Sequence, residues 1–520
     1  AVGSLDTIPP LSSTHAAAPT RARLRGEEGR VDELLRLDGR LPRVARDEAR
    51  AVALDQVAEA QDAERVRQLL KSQADVNASQ VDGMTALHWA AYHDDANLGA
   101  LLLKKKADAA AENRYGITPM HLACLNGNAT LVEALIRYGA DPNSSINGGE
   151  TSLMTAARTG RPEVVEALLR TGAKVDAKER NGQTALMWAA AEGHTEVVRG
   201  LVKAGADFNL PLERSGYTAF YFAIREGQAE VVAYLLANGA DVNGAMRPSS
   251  NSQDFPKRGT GPLLLAVENG HFDLAVALLD AGAKPNDVRT GFSILHALTW
   301  IRRPDIGEGA AGDPAPQGSG RRNSLQFARE LVKRGANVNF QLERGRKAGG
   351  ARVSEIGATP LFMAADRADL AYMKLLVELG ADPLLPNQDG TTPLMVAAGI
   401  GSQAPEEEAG NEAECLASVR YLVSLGAKVN TVDKNGETAM HGAAYKNIPA
   451  VVHYLDSVGH DIKVWNTLNR KKRTPLLIAE GYRPGNFKPC FRTVEAISKV
   501  MLSHGVKPPT GPKPKHSNYN

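Results

Sequence analysis

Four histidines in this 520-residue sequence occupy one repeated position: His88, His121, His296 and His441 each follow a Thr or Ser by three residues. Histidine is the side chain best suited to acid–base chemistry near neutral pH and the commonest metal ligand. Because all four occupy the same position in a repeated phrase, we interpret them as structural residues, and we expect no metal and no cofactor.

A glycine-rich string and a cysteine are the other residues that could support chemistry. Residues 307–312 match the Gly-x-Gly-x-x-Gly fingerprint, but they lie in a Gly/Pro-rich stretch and not between a strand and a helix, as dinucleotide binding requires. Cys124 stands where the repeated phrase has a small residue, which predicts a buried and inert thiol. The sequence has no Walker loop, Cys-x-x-Cys pair or zinc-protease His pair, so we predict that the protein is not an enzyme.

The overall composition excludes several classes of partner. Lys and Arg number 61 and Asp and Glu 59, so the formal charge of +2 provides no general attraction to nucleic acid. No stretch approaches the roughly 18 apolar residues of a membrane span. Three cysteines are too few for a disulfide framework. We therefore predict a protein partner, with no nucleic acid and no membrane insertion.

A repeated phrase predicts the elements that position these side chains. Residues 85–88 read Thr-Ala-Leu-His, and residues 118–121, which lie 33 further along, read Thr-Pro-Met-His. A second apolar stretch follows most copies and ends in Gly-Ala-Asx, as at residues 139–141. Copies begin at Val52, Thr85, Thr118, Thr151, Thr184, Thr218, Pro262, Ser293, Thr359, Thr392, Thr438 and Thr474.

Each copy has the physical features of two short helices. The leading Thr can cap a helix and the following Pro fits the first helical turn. A Leu and a later Ala-Ala pair form one apolar stripe, and the second stretch forms a bulkier one. The Gly that follows ends the second helix in a left-handed conformation. A single copy cannot bury its two stripes, so copies must stack into a continuous array.

This pattern resembles the ankyrin repeat over about residues 50–507. The resemblance implies an all-α solenoid of about twelve helix–turn–helix–loop repeats. We predict a linker at residues 1–27, the array with an N-terminal helical cap at 28–507, and a disordered Pro/Lys tail at 508–520. The amino-acid sequences of the repeats resemble those of free-standing bacterial ankyrin proteins. Together with the linker-like start, this favours a periplasmic or secreted protein over a cytoplasmic one.

Four insertions interrupt the period, at residues 244–259, 302–323, 340–356 and 401–413. Insertions in exposed loops cost little free energy, so they can be without function. They also surround one stretch of the array, and in that interpretation they shape a partner site. The sequence leaves both interpretations open.

The residue after each Ala-Ala pair is free of the repeat's own requirements and is predicted to face the concave side of the array. Large or charged side chains here are candidate partner contacts, because Trp, Tyr and Arg often dominate interfaces, although packing against a neighbouring helix is the alternative. Arg302 and Arg303 are added as a charged rim, and Trp89 and Trp188 are predicted to be core residues. The candidates after the Ala-Ala pair are Tyr92, Arg158, Arg225, Glu268, Trp300, Asp366 and Tyr445.

Three classes of function follow from these observations. The resemblance implies non-catalytic binding of a partner protein through the concave face and the inserted loops. The alternative is a structural subunit of a larger, extracytoplasmic complex. The third, an enzyme built on the inserted loops, is disfavoured because insertions of a few tens of residues at most are too small for a catalytic domain.

Overall fold

The computed structural model describes residues 54–249, 258–305, 316–345, 353–483 and 488–510. The chain divides into two compact units. The N-terminal unit comprises Ala1–Asp241 with Met246–Arg258, and the C-terminal unit comprises Val242–Ala245 with Gly259–Asn520. The predicted linker 1–27, the cap at 28–50 and residues 511–520 of the tail lie outside the described residues.

The described residues of the N-terminal unit form six helix pairs, in which a short inner helix is followed by an outer helix. The pairs are α1 (residues 54–59) with α2 (Ala63–Lys71), α3 (Ala86–Tyr92) with α4 (Ala96–Lys104), α5 (Pro119–Asn126) with α6 (Ala129–Arg137), α7 (Ser152–Arg158) with α8 (Pro162–Arg170), α9 (Ala185–Glu192) with α10 (Thr195–Lys203), and α11 (Ala219–Arg225) with α12 (Ala229–Ala237).

The C-terminal unit contains six further pairs and one extra helical turn, α23 (Ile462–Trp465). The pairs are α13 (Pro262–Glu268) with α14 (Phe272–Asp280), α15 (Ile294–Arg302) with α16 (Ser324–Lys333), α17 (Pro360–Asp366) with α18 (Leu370–Glu378), α19 (Pro393–Ala397) with α20 (Glu412–Ser424), α21 (Ala439–Tyr445) with α22 (Pro449–Ser457), and α24 (Pro475–Ala479) with α25 (Phe491–Ser503).

The helices begin and end as the repeated phrase predicts. Thr118 caps α5 by accepting a hydrogen bond from the backbone N–H of His121, and Pro119 occupies the first helical position. Gly139, which follows the second helix of this repeat, lies in the left-handed region, with φ of 105°. In the described ranges the chain has no β-strand, only two isolated bridges. The predicted all-α repeat fold of twelve helix pairs is therefore confirmed.

Histidines at the repeated position connect successive repeats. The Nδ1 atom of His88 lies 2.9 Å from Oγ1 of Thr85, and its Nε2 atom lies 3.0 Å from the carbonyl oxygen of Ile117 in the next repeat. His296 makes the same pair of contacts, to Ser293 and to the carbonyl oxygen of Ala358. Burial lowers the pKa of His296 to about 4, so the ring is neutral at physiological pH. His88 and His296 therefore act as structural residues, whereas Nε2 of His121 and of His441 is buried and makes no hydrogen bond among the described residues.

Candidate functional site

The residues predicted from the Ala-Ala pairs lie at or near the end of the inner helices, seven positions after the residue that caps the N-terminus of each helix. We call this set the inner row. Neighbouring inner helices pack side by side within each unit, as α7 does with α9 and α15 with α17. The inner row is Tyr92, Arg158 and Arg225 in the N-terminal unit and Glu268, Trp300, Asp366 and Tyr445 in the C-terminal unit.

Each of four inner-row side chains contacts the residue eight positions before it. Arg158 donates to the Glu150 carboxylate at 3.3 Å. The guanidinium of Arg225 lies 5.6 Å from the centre of the Tyr217 ring. The partners of Trp300 and Tyr445 are Phe292 and Glu437. The sequence analysis missed this pairing, although the constant spacing of eight residues would have revealed it.

Tyr445 does not reach the surface, which corrects its prediction as a partner contact. The side chain is 1% exposed, and its hydroxyl donates to Oε1 of Glu437 at 3.2 Å. Asn469, from the following repeat, donates to the same oxygen at 2.9 Å. Burial raises the pKa of Glu437 to about 7. The ring therefore belongs to the packing between two repeats, which was the alternative for these positions.

Arg302 and Arg303 form ion pairs inside the C-terminal unit, which corrects their prediction as a charged rim that contacts a partner. Arg302 donates to both oxygens of Asp369, at 2.7 and 3.1 Å, and to the hydroxyl of Ser324 at 2.6 Å. Arg303 donates to both oxygens of Glu414, at 2.8 and 2.6 Å. The physical reason is that later repeats supply carboxylates where the two guanidinium groups can bind in a bidentate manner.

The described parts of two insertions are attached to the repeats. In the 401–413 insertion, the carbonyl of Ala409 accepts from Nζ of the buried Lys446 at 2.6 Å. The returning end of the 302–323 insertion is held by Asp273, whose carboxylate accepts from the backbone N–H of Arg321 at 2.6 Å. The Gly-x-Gly-x-x-Gly string at 307–312 lies outside the described residues. These insertions therefore have a structural role at their described ends.

Aromatic side chains surround Tyr92 in the N-terminal unit. Tyr92 is 43% exposed and packs edge-on against Trp89, with ring centres 5.6 Å apart. His93 stacks on Trp89 at 5.7 Å. Trp188 is buried, as predicted for a core residue, whereas Trp89 is half-buried and takes part in this exposed cluster.

The two charged inner-row residues of the same unit have acidic neighbours. Arg158 is paired with Glu150, as described above, and also lies over the ring of Trp188, 5.9 Å from its centre. The side chain of Arg225 donates to Glu226 at 2.6 Å. Both arginines are half-buried, so part of each side chain stays at the surface.

Trp300 and Asp366 occupy the same inner-row position in two successive repeats of the C-terminal unit. Trp300 is half-buried and packs against the edge of Phe292, with ring centres 4.9 Å apart at 86°. Asp366 is half-buried, and its carboxylate forms no hydrogen bond with any described residue. The residue eight positions before it is Ala358, which has no polar side chain to offer. Burial raises the pKa of Asp366 to about 6.

Glu268 and Cys124 are the remaining candidate residues. Glu268 ends α13 and is half-buried. Cys124 is buried, and burial raises the pKa of its thiol. Among the residues that the structure describes, no group of three or more His, Cys, Asp or Glu side chains is arranged to hold a metal ion. No helix in these ranges is long and apolar enough to cross a membrane.

Models of ankyrin repeats match more than half of the chain. A model of three copies matches residues 54–146, 153–246 and 211–289. A single-repeat model matches 356–388, and a model of many copies matches 409–455. The matches occur in both compact units.

Curated relatives share repeats with the chain but are longer than the shared region. The chain is 34% identical over 200 residues to mouse ankyrin repeat domain-containing protein 63, which covers 38% of this chain and 42% of that protein. It is 29% identical over 192 residues to ankyrin repeat and SOCS box protein 6 from Pongo abelii, 34% of this chain and 39% of that protein. Human 2-5A-dependent ribonuclease matches at 37% over 78 residues, 15% of this chain and 9% of the ribonuclease.

The relatives share only part of their length with this chain, and all three are animal proteins. The chain spans about two fifths of the length of the first relatives. They are animal proteins, so they give no support to the predicted bacterial style of the repeats. The exported location stays a prediction.

Proposed function

The chain belongs to the ankyrin repeat family, and we propose that it is a non-catalytic protein that binds a partner protein through its inner row. Ankyrin repeats generally mediate protein–protein interaction, and stacked repeats provide extended binding surfaces. Trp300 is the anchor of the proposed interface in the C-terminal unit. Tyr92 and its aromatic neighbours form a second, weaker contact in the N-terminal unit.

The observation that carries this proposal is the partial exposure of Trp300 on a rigid support. The ring is held on one side by the edge of Phe292. Two residues further along, Arg302 fixes the end of α15 to Asp369 and Ser324. A large ring that is fixed before binding loses little conformational freedom on association, which is typical of residues that dominate an interface.

The observation that limits the proposal is the internal pairing of the arginines. Arg302 and Arg303 are each already bound to a carboxylate of the C-terminal unit by two hydrogen bonds. We therefore propose Trp300 and Asp366 as the principal contacts in the C-terminal unit, with Glu268 as a lesser one. In the N-terminal unit, Arg158 and Arg225 are proposed as lesser contacts. Tyr445 is left out because it is buried.

The test is quantitative capture of partners by the full chain from a lysate of the source cells, followed by mass spectrometry. Trp300→Ala is compared with Tyr138→Ala, which removes a ring that is 47% exposed but follows the outer helix α6. We expect Trp300→Ala to deplete a specific protein that Tyr138→Ala retains, while circular dichroism of both variants is unchanged. Equal recovery of every captured protein with both variants would contradict the proposal.

The alternative function, a structural subunit of a larger complex, makes a different prediction in the same experiment. A structural subunit would purify with its neighbours at fixed stoichiometry, and its large interfaces would survive the loss of one ring. Co-purification that is stoichiometric and unaffected by Trp300→Ala would therefore favour the alternative.

A further inference from the structure

Asp366 is a carboxylate for which its own repeat provides no partner. At the corresponding positions, Arg158 and Tyr445 each bind a carboxylate eight residues earlier. For Asp366 the residue eight positions earlier is Ala358, which is fully buried and ends in a methyl group. The carboxylate is therefore half-buried with no hydrogen bond to any residue in the described ranges.

The two cations whose charges act on Asp366 make their hydrogen bonds elsewhere. Lys446 donates to the carbonyl of Ala409, and Arg367 donates to the carbonyl of Arg303 and to Asp305. Their charges lower the pKa of Asp366, but burial outweighs them and raises it to about 6. An ionised carboxylate that is partly removed from water gains free energy when a cation binds it directly.

An aromatic ring lies at the corresponding position in the preceding repeat. Trp300 and Asp366 each stand seven residues after the head of their repeat, and their helices α15 and α17 pack against each other. Packed helices lie about 8–10 Å apart, so corresponding positions on the two helices are separated by about that distance. The rings of Phe292 and Trp300 are perpendicular, at 86°, and Trp300 is only half-buried.

A carboxylate beside an aromatic ring fits one chemical group particularly well. Guanidinium is planar, stacks on aromatic rings and binds a carboxylate through two parallel N–H donors. An ammonium group carries the same charge but does not stack in this way. We propose that Trp300 and Asp366 form a pocket that receives one arginine side chain of the partner protein. This inference rests on the proposed function, since it names the side chain that the interface would recognise.

The pocket can be tested with the full chain and a defined probe. The sequence contains four tryptophans, so the protein labelled with 5-fluorotryptophan gives four ¹⁹F signals, and Trp300→Phe identifies that of Trp300. The probe is the capped tripeptide acetyl-Gly-Arg-Gly-amide. We expect a saturable shift of the Trp300 signal alone, with affinity at least about tenfold weaker when citrulline, the neutral analogue, replaces arginine.

Two variants separate the pocket from general electrostatic attraction. Asp366→Asn should lower the affinity for the arginine peptide by about tenfold or more. Asp389→Asn, which removes another half-buried carboxylate in the same unit, should leave the affinity unchanged. Equal effects of the two variants, or equal binding of the citrulline peptide, would overturn the pocket. Equal binding of the matching lysine peptide would overturn the assignment to a guanidinium.

The captured partner distinguishes failure of the pocket from failure of the proposed function. A partner that needs Trp300 but binds Asp366→Asn as tightly as the unmodified chain would overturn the pocket and leave the proposed function standing. A partner whose binding is unaffected by Trp300→Ala would overturn the interface itself. Circular dichroism confirms that each variant is folded.

Discussion

The two compact units are built from the same helix pair and are held together differently. In the N-terminal unit the charged inner-row side chains are paired locally, as Arg158 is with Glu150 eight residues away. In the C-terminal unit two bidentate ion pairs join residues far apart in the sequence, Arg302 with Asp369 and Arg303 with Glu414. Both arginines lie at the start of the 302–323 insertion, and Glu414 directly follows the 401–413 insertion. The comparison teaches that residues at the ends of insertions can add ion pairs between repeats.

The chemistry of the inner row also differs between the units. The N-terminal unit presents Tyr92 and two arginines with acidic neighbours, whereas the C-terminal unit presents Trp300 beside an unpaired Asp366. A regular repeat tolerates either set, because the apolar stripes that form the fold lie elsewhere. The inner row is therefore where two units of one fold can differ in what they bind.

The largest effect is expected for the ion pair between Arg302 and Asp369 in the C-terminal unit. Asp369 is almost fully buried, with 3% of its side chain exposed. Arg302→Met leaves this carboxylate without its cation, which should lower the free energy of unfolding of the C-terminal unit by about 3 kcal/mol or more. Urea denaturation measures the change, and hydrogen exchange assigns it to the C-terminal unit.

Arg329→Met is the matched control for this prediction. Arg329 makes a bidentate pair with Glu378, but both side chains are at least half exposed. Solvent screens such a pair, so the expected change is much smaller than for Arg302→Met. Similar losses from both variants would show that burial does not determine how much these ion pairs contribute.

In the N-terminal unit the largest single-residue effect is expected in the apolar core. Leu168 is 0% exposed in α8, so Leu168→Ala should cost roughly 2–5 kcal/mol. Because repeats contact only their neighbours, the loss of hydrogen-exchange protection should be centred on the repeats around α8. Val81→Ala, at a fully exposed side chain of the same unit, serves as control. A cost below about 0.5 kcal/mol for Leu168→Ala would mean that this apolar stripe is misassigned.

The effect of a substitution on partner binding should also differ between the two units. Trp300→Ala is expected to weaken binding of the captured partner by on the order of 2 kcal/mol, about thirtyfold in affinity. Tyr92→Ala should matter less, because none of the four insertions adjoins its repeat in the sequence. Isothermal calorimetry of both variants against the partner measures the difference. A larger loss from Tyr92→Ala would move the interface to the N-terminal unit.

The sequence alone predicted the fold because a regular period and a strong capping phrase repeat twelve times. Residues such as Thr118, Pro119 and Gly139 determine local structure by their own geometry, so their roles could be predicted from the sequence. The period also identified the positions of the inner row. It could not tell whether a side chain at such a position would be exposed.

Exposure and pairing depend on residues that the period does not fix. The hydroxyl of the buried Tyr445 donates to Glu437 and accepts from Asn469, and neither residue belongs to the repeated phrase. Arg303 binds Glu414, 111 residues away in the sequence, across three insertions of irregular length. Contacts of this kind depend on how the inserted loops fold, which no local pattern reveals.

The smallest predicted effect concerns the pH dependence of the C-terminal unit. Burial raises the pKa of Glu437 from its ordinary 4.5 to about 7. The folded chain therefore binds the Glu437 proton more tightly than the unfolded chain does, so ionisation of Glu437 opposes folding. This cost is complete above about pH 7, declines as the pH falls through 7, and is absent below about 4.5.

Replacing Glu437 with a neutral residue should remove this pH dependence. The amide oxygen of Glu437→Gln can still accept the hydrogen bonds from Tyr445 and Asn469. We expect the variant to be more stable than the unmodified chain by on the order of 1–2 kcal/mol at pH 8, and similar to it at pH 5. Thermal unfolding of both proteins at the two pH values measures the difference. An advantage that is the same at both pH values would mean that Glu437 does not titrate between them. The contrast between the units would then rest on their ion pairs and inner rows, without a contribution from this buried carboxyl group.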